Sequence, residues 1–177
     1  MADRRSKTRL VGLSSIQYCT VRSHGGFPTT ASSLNTIGYV VPDSAHIIID
    51  PPGVTDLMIE EEDTPDIQIL GNRKVSLEFG LRDMGTRTLL LAFGGVISGS
   101  VTWKAPVTSN VITEWAFEIH SKTINGKYLK FQIPRASVSV GGDLKFARSD
   151  SGTLNFSAQV LIPESSTQIS PCVITQT

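Results

Sequence analysis

The chain has 177 residues, a formal net charge of zero and 18% charged residues, which fits one domain able to bury its own core. Zero net charge gives no general argument for nucleic-acid binding. Ser and Thr together number 37 against 32 charged residues, so the surface is polar but weakly charged, and nothing in it keeps copies of the chain apart.

Residues 1–9, "MADRRSKTR", carry Arg4, Arg5, Lys7 and Arg9 without apolar periodicity and read as a flexible basic arm. Period-two alternation then marks a series of strands. "LVGLSSIQYCTV" (10–21) is the first, and the Gly-, Ser- and Thr-rich residues 22–36 read as a loop. "TIGYVV" stops at Pro42 and "AHIIID" at Pro51-Pro52-Gly53. "TDLMIEEED" and "DIQILG" flank an acidic stretch, within a long loop near 50–66. "KVSLEFGLRD" puts Val75, Leu77, Phe79 and Leu81 on one face.

One helix is expected in "RDMGTRTLLLAFGG", with Asp83 as N-cap, Gly94 as stop and Leu89, Leu90 and Phe93 as its apolar stripe. "SGSVTWKAP" is a short strand, and "ITEWAFEIHSK" aligns Trp115, Phe117 and Ile119. Asn125-Gly126 supplies a type I′ turn into "KYLKFQIP". After Pro134 the alternation changes phase in "RASVSVGGDLKFA", which reads as a second strand with a bulge or kink at Gly141-Gly142. "GTLNFSAQVLIP" closes the series. The pattern predicts a mainly β protein, an antiparallel β-sandwich or barrel with one short α-helix. It occupies residues 10–165, with 166–177 as a C-terminal segment.

Little in the chain points to catalysis, and no enzyme or cofactor is expected. His24, His46 and His120 lack neighbours at metal-ligand spacing. Glu60, Glu61, Glu62 and Asp63 alternate faces in a strand and lack a calcium loop's glycine punctuation; a solvated hairpin tip or a dock for the basic arm fits them better. No phosphate-cradling glycine motif or nucleophile elbow is present. Trp103 and Trp115 lie in alternating strands, as core residues do. Cys19 and Cys172 read as two free thiols made in a reducing cytoplasm, with a bridge between them left open. No apolar run is long enough for a membrane helix.

The distinctive feature is a face. Opposite the apolar positions of the last two strands stand Ser137 and Ser139, then Thr153, Asn155, Ser157 and Gln159. A hairpin joining them gives a patch of small neutral polar groups where a solvated strand usually carries Lys, Glu or Arg. An ordinary Ser/Thr-rich sheet surface is one reading. A face that meets other copies or lines a shared channel is the other, and unblocked strand edges would allow pairing between subunits.

The Trp-x-Phe-x-Ile strand at 115–119, "FQIPRASV", "DLKFARSDSGTLNFSAQVLIP" and the "TLLLAFGG" helix together resemble the major tail tube proteins of long-tailed bacteriophages, over residues 75–165. The resemblance implies a virion protein, made in the host cytoplasm, that forms stacked hexameric rings through its sheet edges. DNA passes through the resulting tube into the host without specific binding. Tape measure, tail terminator and baseplate or tip proteins are the implied partners. The six neutral polar residues become the candidate lumen or subunit face. Arg4, Arg5, Lys7, Arg9 and Glu60 to Asp63 become candidate inter-ring contacts. A jelly-roll capsid subunit of a small virus and a β-sandwich ligand-binding module are the alternatives.

Overall fold

A computed structural model describes residues 12–23, 25–27, 33–57, 67–99, 101–107, 113–146, 151–164 and 170–176, with the side chains of residues 57, 67, 143–146 and 151 left aside. In chain order the elements are β1 (Leu13–Thr20), β2 (Asn35–Thr36), β3 (His46–Ile49), β4 (Val54–Leu57), β5 (Ile67–Leu70), β6 (Val75–Leu81), α1 (Thr86–Phe93), β7 (Val96–Ser98), β8 (Thr102–Lys104), β9 (Thr113–Ser121), β10 (Leu129–Phe146), β11 (Ser151–Val160) and β12 (Val173–Gln176). The described residues are thus mainly β with one short helix, and their strands pair antiparallel.

One large sheet runs β2-β1-β9-β10-β11-β6-β3, with β12 on β10. It is rolled. Phe79 on β6 and Phe117 on β9 have ring centroids 6.1 Å apart, although β10 and β11 separate their strands. In a flat sheet three inter-strand steps would hold them about 14 Å apart. The concave side is the core. There Phe79 stacks on Phe156 at 4.9 Å, surrounded by Ile16, Leu77, Leu81, Ile133 and Leu154, all buried. Fully burying each such side chain is worth about 1.5–3 kcal/mol, so this cluster dominates stability.

The phase change at Pro134 has a local cause. Ile133 pairs with Phe117 and Ala136 with Trp115, so β10 spends three steps where β9 spends two. This is a β-bulge, and Pro134 has no N–H to lose there. The result is one bent strand of 18 residues instead of the two strands expected. Its extra residue keeps Phe131, Ile133, Ala136 and Val138 on the buried side. Gly141 and Gly142 do not form the expected bulge, since they pair in register with Asn155 and Leu154; the later shift falls between Asp143 and Phe146.

The helix also departs from expectation. Its buried side chains are Thr88, Leu91 and Ala92, and its N-cap is Gly85. Asp83 acts two residues earlier: its carboxylate accepts the Gly85 N–H at 2.9 Å and the Thr88 hydroxyl at 3.3 Å. That bond lets a polar threonine share the buried face, which turns the helix away from a Leu89, Leu90 and Phe93 stripe; Phe93 is 38% exposed.

Three other segments differ from the sequence expectation. Of "TIGYVV", only Thr36 lies in a strand and Val40 makes an isolated bridge to Leu81. β7 pairs with β8 as a hairpin. The C-terminal segment joins the domain, as Val173 to Gln176 pair with Gln132 to Leu129. At Asn125-Gly126 both residues have positive φ, 52° and 75°, and Ile124 and Lys127 exchange backbone hydrogen bonds across them, as a type I′ turn requires.

Candidate functional site

The candidate face lies on the convex side of the rolled sheet. Register brings its residues together: Ser137 opposes Gln159, Ser139 opposes Ser157, Gly141 opposes Asn155 and Asp143 opposes Thr153. Antiparallel residues in register share a face with Cβ atoms about 5 Å apart, so the six residues form one field across two strands. The Ser139 hydroxyl donates to the Ser157 carbonyl oxygen at 3.1 Å. The neighbouring strands extend the field. Glu114 on β9 opposes Ser137, Glu78 and Ser76 on β6 oppose Ser157 and Gln159, and His46 on β3 opposes Glu78.

The field is therefore neutral in the middle, with Glu78 and Glu114 on its flanks and Arg135 at its border. Sequence reading missed Glu78, Glu114 and His46 because the strands carrying them lie far apart in the chain. The parity of Glu78 opposite Leu77 and Phe79 was visible, but its adjacency was not. At one end Ser44 walls the field, its hydroxyl accepting the Gly80 N–H at 3.0 Å.

Arg135, the extra residue of the bulge, borders the field and is clamped. It donates to both Glu114 oxygens, at 2.7 and 2.9 Å, and lies 2.9 Å from Glu164. The hydrogen bond to Glu114 is the main reason its pKa is raised. The guanidinium is occupied by these carboxylates, which reduces its reach toward an outside anion.

The second candidate feature is an arm. β3 pairs with β6, β4 pairs with β5, and one register runs through both pairs: Ile49 opposes Val75 and Val54 opposes Leu70. Pro51 and Pro52 interrupt the ladder because they lack N–H donors. On either side of them Asp50 donates to the Lys74 carbonyl at 2.9 Å and Gly71 to that of Gly53 at 2.7 Å. The expected long loop is thus a hairpin in its described part. At about 3.3 Å per residue, positions 50–57 reach about 26 Å beyond the sheet. Val54, Ile69 and Leu70 are exposed on it. Glu60, Glu61, Glu62 and Asp63, and Arg4, Arg5, Lys7 and Arg9, lie outside the described residues.

Of the remaining candidates, His24 lies outside the described residues. His120 is not isolated: its Nε2 lies 2.8 Å from Oε1 of Glu118, a buried carboxylate that also accepts from Gln132 Nε2 at 2.6 Å. Cys19 and Cys172 are both free thiols, and burial pushes both pKa values up. That is opposite to an activated nucleophile. Trp115 packs edge-on against Tyr18 at 5.4 Å, while Trp103 Nε1 donates to the Gly94 carbonyl at 2.8 Å. Among the described residues no group of His, Cys, Asp or Glu converges as a metal site, and no helix is long and apolar enough to cross a membrane.

No family model and no curated protein matches this chain. Its functional reading rests on the face and the arm.

Proposed function

We propose that this chain is the repeating subunit of a bacteriophage tail tube, joined through its sheet edges into hexameric rings that stack around a channel for DNA. The observation that carries this reading is the convex field of Ser137, Ser139, Thr153, Asn155, Ser157 and Gln159, none of them charged, flanked by Glu78 and Glu114, with the bordering Arg135 held by Glu114 and Glu164. A wall that lets a polyanion slide must not hold phosphate, because each Lys or Arg contact adds affinity through counterion release. Two further features support self-assembly. β2 and β3 end the sheet order, leaving edges that can pair with another chain, and the arm carries exposed apolar residues away from its own core. By this reading the tape measure, tail terminator and baseplate or tip proteins meet the tube at its axis and its ends.

Negative-stain microscopy of the purified protein tests the reading. Rings or hollow tubes are expected, and removal of residues 50–66 should leave folded subunits that stack poorly. Closed shells would point to a capsid subunit instead. Lone 19.1 kDa particles at every concentration and salt would sink the assembly reading altogether.

A further inference from the structure

Two exposed apolar surfaces on this chain have opposite charge. From Asp50 to Asn72, the arm sequence contains seven acidic residues and no Lys or Arg. On one face of the described arm, Val54 opposes Leu70 and, two positions on, Asp56 opposes Gln68. Residues at that spacing share a face. Val54 and Leu70 are 54% and 67% exposed, too much for residues that serve their own fold.

The second surface is the β7–β8 hairpin beside α1. From Met84 to Thr113 the sequence contains Arg87 and Lys104 but no acidic residue. Ile97 and Trp103 oppose one another on the side facing α1, where Trp103 meets Phe93 at 6.2 Å. The other side presents Val96 opposite Lys104. Val96 is 65% exposed and Val101, at the turn, 82%. The surface is held firmly. The Trp103–Gly94 hydrogen bond ties the hairpin to the helix end. Gly95 sits at φ +91°, where a Cβ would collide with the Lys104 carbonyl oxygen.

We propose that the Val54, Leu70 and Asp56 face of the arm of one copy docks on the Val96 and Lys104 face of the β7–β8 hairpin of another. Apolar pairs would then supply contact area, and Asp56 with Lys104 would set orientation. The two patches differ, so the contact is heterologous. Such contacts propagate into rings or open stacks instead of stopping at a dimer. The inference builds on the tube reading only in taking the partner to be a second copy of this chain.

A charge swap with crosslinking tests it. All the residues are exposed, so folding is checked by circular dichroism and should not change. D56K and K104E should each weaken self-association about fivefold in sedimentation velocity, near the upper end for an exposed pair, and the double variant D56K/K104E should recover most of it. L70C mixed with V96C should give an oxidised intermolecular dimer, which L70C alone does not. The proposal is overturned if the double variant is no better than the single ones and the mixed cysteines fail to crosslink. It is equally overturned if L70C crosslinks to R5C in place of V96C, which makes the basic arm the acceptor. Images of the same samples separate this from the tube reading. Tubes without the crosslink defeat the docking inference alone, whereas crosslinked particles that are not tubular defeat the tube reading alone.

Discussion

Burial decides the chemistry of individual side chains at the C-terminal end of β1. Cys19 is buried although it lies on the convex parity of its strand, and desolvation raises its pKa, with Glu118 adding to the effect and Arg22 opposing it. Tyr18, on the core side, is raised by burial against a smaller opposing effect of Arg87. For both groups the folded state holds the proton more tightly than the unfolded chain. Their contribution is therefore complete below the unfolded pKa values, about 8.5 for the thiol and 10 for the phenol, and is lost as pH rises through the raised folded ones. Urea denaturation between pH 7 and 10.5 should show stability falling steadily above pH 8.5, and Cys19→Ala should fall less. A Cys19→Ala profile that parallels the parent would show that this thiol is no source of the slope. The sequence announced the core side of β1 by alternation, but not the burial of Cys19. Its neighbours on that face, Ala116 and Glu118, come from a strand about a hundred residues away.

At the scale of elements, alternation was legible wherever it stayed in one phase. Leu77, Phe79 and Leu81 in β6, and Phe117 and Ile119 in β9, face the core as their spacing predicts. It failed where one residue carried a decision the pattern could not express. A proline between two alternating runs reads as a break, yet here it sits in a bulge and the strand continues. In α1, Thr88 looks polar until Asp83 is seen to satisfy its hydroxyl, which moves the stripe to Leu91 and Ala92. The bulge makes a sharp prediction. Deleting Arg135 removes the extra residue and leaves Ala136 two positions after Ile133, so a regular ladder keeps Ala136 and Val138 in the core and Ser137 and Ser139 out of it. That variant should fold. Arg135→Ala also keeps the phase and loses the contacts to Glu114, the largely exposed Glu164 and the Ile162 carbonyl. It should fold with a loss of about 1 kcal/mol, the upper end for a solvent-exposed pair in good geometry. Thermal melts of the two variants separate register from charge, and a deletion variant that lacks a cooperative melt would overturn the register argument.

For the whole molecule, the question is whether the convex field faces a channel. The rolled sheet leaves a seam between β3 and the β1–β9 side, occupied by a cleft of about 700 Å³ lined mainly by apolar residues such as Leu13, Ile47, Ile119 and Phe131. The sheet is therefore curved but open, with edges available to neighbours, and its convex face can form a wall only when copies stand side by side. Arginine at Ser137, Ser139, Ser157 and Gln159 puts four cations on that face without touching the core. If the face lines the channel, each ring presents these cations to the passing DNA. Six to ten phosphate contacts already make binding vary about 10³–10⁵-fold between 50 and 200 mM salt. Particles carrying the variant should therefore assemble normally, eject DNA slowly at 50 mM salt and recover at 200 mM. Salt rescue matters, because a misassembled tube would eject poorly at both. Normal ejection at low salt from normally assembled particles would place the field elsewhere, and the neutral polar surface would then be ordinary sheet exterior.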